Sequence, residues 1–354
     1  MRYPALGLRR QLPWIMGVSL RRPDFSTWRC DVTWPKFPTR RHQIDDALLQ
    51  RTSSQRLPRR RRRKGNSQAL DTRVKDVLQH RRAIPNRLLV THLDLPTLTT
   101  VPLSPVPART SWPRILMVHG TIDRSSSFKR SAKHLSEYEV ISYDRRGYAS
   151  SPFLDENGVP RKVSWQIHLQ DLTEVVAQKP TVIFGHSYGG TLALLAAERQ
   201  IDNLLGIISF ESPLSWFHNW STSTDTLTDP EEEIDPEWAR QQARRFMIFQ
   251  IGEKNWNRLP PATKRQRESE GITMVSEMTS MANLSPVLDP AKIAVPTIIA
   301  RSEDAAERHL KGAKFLTDSI PNSELRIIRN TSHGVHLQRP EKVAELTREL
   351  IARL

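Results

Sequence analysis

The chain has 354 residues, 38% of them hydrophobic, and carries 53 basic against 38 acidic side chains, a formal net charge of +15. That length accommodates one large α/β domain with an appendage and excludes a second full catalytic domain. The single cysteine, Cys30, excludes an intramolecular disulfide and two-cysteine metal motifs, which fits a reducing cytoplasm.

The charge is unevenly placed. Residues 1–85 hold 21 Lys or Arg against 6 Asp or Glu, and residues 86–354 hold 32 of each sign, so the whole excess is N-terminal. Residues 1–85 are rich in Arg, Pro, Ser and Trp without sustained periodicity and are expected to form a basic, mostly disordered extension. Within it, Arg59–Lys64 would attract phosphate backbones only non-specifically, because no zinc site, helix-turn-helix or aromatic RNA-binding signature accompanies it. Leu12–Leu20 follows Arg9 and Arg10, but Pro13 interrupts it, Arg21 and Arg22 follow it, and no small-residue cleavage pattern appears, so it does not read as an export signal. Apolar runs such as Leu192–Ala197 and Leu204–Phe210 fall short of the roughly 18 residues of a membrane-spanning helix.

From residue 86 onward the pattern is that of a folded domain. Leu88–His92 and Leu98–Leu103, with Pro96 between them, suggest a leading antiparallel hairpin. Then follow the strand Ile115–Val118, a helix near Phe128–Leu135, the strand Glu139–Tyr143, a helix over Trp165–Ala177, the strand Val182–Phe184, a helix over Gly190–Arg199 and the strand Leu205–Phe210. Strands alternating with helices predict βαβ units and a mostly parallel sheet covered on both faces. The rhythm stops over residues 212–295, which contain Trp216, Trp220, Trp238 and Trp256 and an amphipathic helical pattern from Pro236 to Ile251, as expected of a helical cap inserted over the strand ends. It resumes with the strand Thr297–Ala300, a helix near Leu310–Leu316, the strand Leu325–Ile328 and a closing helix from Pro340 to Leu354.

The strand Val182–Phe184 runs into Gly185-His186-Ser187-Tyr188-Gly189-Gly190 and then a helix, the context in which a G-x-S-x-G pattern presents a nucleophilic serine on a strained turn. Ser187 is the expected nucleophile. A serine hydroxyl needs a base. His333, in Asn330-Thr331-Ser332-His333-Gly334-Val335-His336 after the strand Leu325–Ile328, lies at the matching sheet edge, while His336, nearer the helix, suits packing or substrate contact. For the acid behind His333 two strand ends compete. Asp304, with its neighbour Glu303, follows Thr297–Ala300 in the order serine, acid, histidine, whereas Glu211 ends Leu205–Phe210; Asp304 is preferred and Glu211 is the alternative. The oxyanion would be bound by the amides of Tyr188 and, after the close approach that Gly120 permits, Thr121 in His119-Gly120-Thr121.

Val118-His119-Gly120, Tyr143-Asp144-Arg145-Arg146-Gly147-Tyr148, Gly185–Gly190 and Ser332-His333-Gly334, in that order, make residues 87–354 similar to the α/β-hydrolase superfamily, and in particular to actinobacterial single-domain hydrolases with a helical cap. The tryptophan-rich cap suggests a small-molecule acyl substrate that is hydrophobic or aromatic. The resemblance implies the α/β-hydrolase fold and a Ser-His-acid mechanism through an acyl-enzyme without cofactor or metal. It implies that Asp144 and Arg145 form a structural turn rather than act in catalysis. It leaves open acyl transfer and cofactor-free haloperoxidation at the same site, and a silent scaffold whose basic tail binds nucleic acid or acidic surfaces. Relatives often carry glycine after the strand preceding the acid; here Ala300-Arg301-Ser302-Glu303-Asp304 departs from that, which keeps Glu211 in play.

Overall fold

The structure is a computed structural model that describes residues 98–103, 111–218, 233–282 and 287–354. The expected basic extension over residues 1–85, with Arg59–Lys64, lies outside the described residues, as do Leu88–His92 and Trp220.

Among the described residues, seven strands form one sheet: β1 (Val101–Pro102), β2 (Ser111–Val118), β3 (Tyr138–Ser142), β4 (Thr181–His186), β5 (Leu204–Phe210), β6 (Thr297–Ser302) and β7 (Ser323–Ile328). They lie in the order β1-β3-β2-β4-β5-β6-β7. Every pairing is parallel except that of β1 with β3. The run Leu98–Leu103 contributes only two strand residues, and they pair with Ile141 and Ser142 of β3. Pro102, which has no N–H to give a ladder, suits such an outer position.

Alternation along the strands builds two cores, because successive side chains of a strand point to opposite faces. Leu116, Val118, Ile183, Ile207 and Ile299 face one cluster, which also takes up Leu169, Leu172 and Val176 of helix α2 (Trp165–Ala177) and Leu192 and Leu195 of α3 (Tyr188–Glu198). Their neighbours Ile115, Met117, Val182, Phe184, Ile208 and Ile298 face the other, closed by Phe128, by Ala132 of α1 (Lys129–Lys133) and by Val343, Leu346 and Leu350 of the last helix (Pro340–Ile351). The near-continuous apolar strands of the sequence are therefore buried on both faces. Ser164 starts α2 by accepting a hydrogen bond from the Ile167 amide at 3.4 Å.

The insertion is helical. A short α4 (Ser215–His218) precedes α5 (Pro236–Ile251), α6 (Glu253–Arg258), α7 (Pro261–Ser269) and α8 (Gly271–Ala282). Asp235 opens α5 by accepting from the Trp238 amide at 2.7 Å, with Pro236 in the first turn, and Gly252 ends it at φ 79°. The cap has a core of its own, in which Ala239, Ala243, Met247, Trp256, Ile272 and Val275 meet Ile122 and Tyr148 from the loops after β2 and β3. Trp256 is buried in that core, and Trp216 packs against the main one, so these two tryptophans serve packing.

Below that core the cap is fastened by charge. Glu277 of α8 is fully buried; its carboxylate accepts from the Arg145 guanidinium, from Tyr148 Oη at 2.8 Å and from Thr121 Oγ1 at 3.1 Å, and it lies 2.7 Å from His168 Nε2. Arg145, also fully buried, donates in addition to the carbonyls of His119 and Gly120, each at 3.0 Å. Burial works against ionising Glu277, but the facing Arg145 and the His168 contact hold its carboxyl down at about 2, against an ordinary 4.5. A carboxyl depressed on folding stabilises the native state above its unfolded value and loses that contribution as pH falls. Glu277→Gln is therefore expected to cost about 3–5 kcal/mol at neutral pH, since it strands a buried guanidinium. In thermal melts across pH, the gap between wild type and variant should narrow between pH 4.5 and about 2; a constant gap would refute the ionic origin.

Candidate active site

Ser187 sits between β4 and α3 at φ 53°, ψ −123°, a conformation that costs a non-glycine residue about 1–3 kcal/mol and survives only where its surroundings dictate it. They do so on both sides. The Ser187 amide donates to the Phe210 carbonyl of β5 at 2.8 Å, and its own carbonyl accepts from the Gly190 amide at 2.8 Å. A Cβ at Gly189 would lie 2.2 Å from the Val118 carbonyl oxygen, so only hydrogen fits where the elbow crosses β2. Tyr188 is the first residue of α3, where a backbone amide has no acceptor within the helix.

The loop after β2 runs against the elbow: a Cβ at Gly120 would lie 2.9 Å from that of Ser187. Thr121 follows directly, and its hydroxyl is held by Glu277. His119 is buried and neutral; burial, then the neighbouring Arg145, pushes it down to about 3. It takes the Arg145 amide on Nε2 at 2.9 Å and meets the Gly120 carbonyl through Nδ1 at 2.8 Å, which fixes the loop from within. Asp144 accepts from the Ser125 amide at 2.7 Å and from the Ser150 amide and hydroxyl at 3.1 and 2.6 Å, a structural turn.

His333 reaches the same edge from the loop after β7. Its Nδ1 lies 2.7 Å from Oε2 of Glu211, and its carbonyl is 2.7 Å from Nε2 of His186, the residue before Ser187. The carboxylate that partners His333 is thus Glu211 and not the preferred Asp304, which stands exposed beside exposed Glu303 in the turn after β6. The reason is local. At Glu211 the chain leaves β5 with φ 46° and its amide bonded to the Ala300 carbonyl at 2.9 Å, while its side chain is buried next to β6. There Ser302, the last residue of β6, gives Oε1 of Glu211 both its hydroxyl and its amide, the latter at 2.8 Å. Burial opposes ionisation, yet the hydrogen bonds from His333 and Ser302 hold Glu211 at about 2.

His336 is buried against Phe128, with ring centroids 5.0 Å apart, and its Nε2 is 3.3 Å from Oδ2 of Asp123. Sequence reading missed three contributors. Ser302 carried a signal, a hydroxyl residue closing the strand beside Glu211. His309 of α9 (Glu307–Ser319), stacked on His333 with centroids 5.2 Å apart, and Glu277 carried none, because helical periodicity does not reveal which polar residue turns inward.

Removing a neutral donor to a charged acceptor forfeits about 1.5–3 kcal/mol, or roughly one to two pKa units. Ser302→Ala should accordingly raise the Glu211 carboxyl midpoint by about one unit in a carbon-detected NMR titration. An unmoved midpoint would show that the hydroxyl does not hold the carboxylate.

Comparison with known proteins follows the same outline. A model of the alpha/beta hydrolase family matches residues 115–346. The chain is similar to lipase LipV of Mycobacterium tuberculosis, 28% identical over 95 residues, 27% of this chain and 35% of that one. It is also similar to the uncharacterized hydrolase YraK of Bacillus subtilis, 33% identical over 87 residues, 24% of this chain and 32% of that one. The matches thus span about a third of the length of these curated relatives. Among solved structures, a thermophilic esterase from Thermogutta terrifontis superposes with a TM-score of 0.54 at 19% identity, over 72% of this chain and 93% of the other, a likeness of fold. Since the family match takes in β4, the elbow and the His333 loop alike, this chain belongs to the alpha/beta hydrolase family.

Proposed function

We propose that this protein hydrolyses a carboxylic ester or related acyl bond with Ser187 as nucleophile, His333 as general base and acid, and Glu211 as the acid that orients His333. The observation that carries the reading is the 2.7 Å contact of His333 Nδ1 with Glu211 Oε2 at the sheet edge where Ser187 is held at φ 53°. An ionised carboxylate on Nδ1 selects the tautomer whose Nε2 is free to take a proton and stabilises the imidazolium that results.

In this reading Ser187 Oγ attacks the acyl carbon as His333 Nε2 accepts its proton. The amides of Tyr188 and Thr121 receive the developing oxyanion. Collapse of the tetrahedral adduct expels the alcohol, protonated by His333, and leaves an acyl-serine; water activated by the same imidazole releases the acid. Family membership and the relatives' names, a lipase and a hydrolase, support hydrolysis. A small hydrophobic acyl substrate is the proposed class. No helix among the described residues is long and apolar enough to cross a membrane, and with one cysteine in the chain a cytoplasmic setting is proposed.

A fluorophosphonate probe should label the wild-type chain and fail to label folded Ser187→Ala; equal labelling would sink the nucleophile. On short acyl esters, Glu211→Gln should lower kcat by about 10⁴-fold, the cost of losing an orienting acid, while Asp304→Asn leaves it unchanged. The reverse ranking would return the acid role to Asp304.

A further inference from the structure

Two clusters of imidazole and carboxylate lie among the described residues: Glu211, His309 and His333, and Asp123, His186 and His336. The first belongs to the site already described. The second has no part in the proposed reaction. Asp123 comes from the loop after β2, His186 from the elbow, and His336 from a short helix, α10 (Val335–Gln338). Both imidazoles are more than nine-tenths buried, with ring centroids 4.4 Å apart.

These rings are under-satisfied. His186 Nε2 faces the His333 carbonyl at 2.7 Å and must carry the hydrogen, because a carbonyl oxygen only accepts. That leaves Nδ1 with its lone pair, buried and without a hydrogen-bond partner, on the side of the Asp123 loop: a Cβ at Gly120 would come 3.2 Å from it. His336 Nδ1 is likewise buried without a hydrogen-bond partner, and its Nε2 approaches Asp123 Oδ2 to 3.3 Å. Orphaned polar atoms at such depth are rare and call for an occupant.

We infer that Asp123, His186 and His336 form a binding site for one divalent transition-metal ion of the zinc kind. One ligand atom from each lies within 4.8 Å of the others. Around a tetrahedral ion with bonds of about 2.0–2.2 Å the ligand atoms stand roughly 3.4 Å apart, so modest ring rotations close the site. Two imidazoles and one carboxylate, with water completing the shell, match the donor set that zinc accepts, whereas magnesium and calcium require oxygen ligands. Because the ligands come from the loops that also carry Thr121, Ser187 and His333, the ion would tie those loops together. This inference stands whether or not the chain is a hydrolase.

The test uses the full chain, stripped with chelator and titrated with zinc chloride alone by calorimetry and thermal melting. One zinc ion per chain and a Tm raised by several degrees are expected. His336→Gln and Asp123→Asn should each weaken binding at least about tenfold, with circular dichroism confirming that they fold. His309→Gln should leave it intact, and magnesium chloride should have no effect. Failure to bind zinc overturns the proposal. So does binding that survives both His336→Gln and Asp123→Asn, as an ion held by the Glu211 cluster or elsewhere in the chain would. X-ray absorption on the zinc-loaded His309→Gln chain, in which the Glu211 cluster keeps a single imidazole, decides the matter even if the Asp123 and His336 variants misfold: two imidazoles with oxygen support the site, and sulfur ligation or a single imidazole overturns it.

Discussion

Much of this structure turns on the place where the elbow crosses β2. Gly189 presents a hydrogen to the Val118 carbonyl oxygen, and no larger group fits there. That contact lets α3 start close against the sheet, which in turn permits Ser187 to adopt φ 53° with its amide tied to β5. A serine in a relaxed turn would face its neighbours. Here the strain is met by ten buried residues of α3, Tyr188 to Ala197, packed against α2 and the sheet.

The fold was largely legible because its signals are redundant. Helix Trp165–Ala177 and helix Pro236–Ile251 appear over the same residues that periodicity selects, each started by a capping side chain one residue before. Apart from β1 and β3, the strands emerge one or a few residues longer than the expected apolar runs, because the ladder also takes in flanking polar residues such as Thr181, His186 and Ser302. The elbow and His333 were legible for a different reason, namely that the chemistry proposed for them requires a short local context. The carboxylate beside His333 was not. Asp304 and Glu211 both stand at strand ends on one edge, and the choice between them depends on a backbone reversal at Glu211 and on two donors from Ser302. Neither leaves a periodic trace.

The leading hairpin shows the same limit from the other side. Leu98–Leu103 has the composition of a strand, and its pairing among the described residues is with β3, some forty residues on, over two residues, while the expected partner Leu88–His92 lies outside them. Propensity marks a segment as extended without naming its neighbour. Buried polar clusters such as Arg145 with Glu277 are harder still, because the two residues lie 132 positions apart and each alone reads as a solvated charge.

The Glu277 carboxylate bears on how freely the cap can move. Lifting α8 away would part a desolvated ion pair and expose Arg145, Tyr148 and Thr121 at one stroke, an excursion that costs several kcal/mol. Rapid breathing of the roof is confined to motions that leave α8 seated.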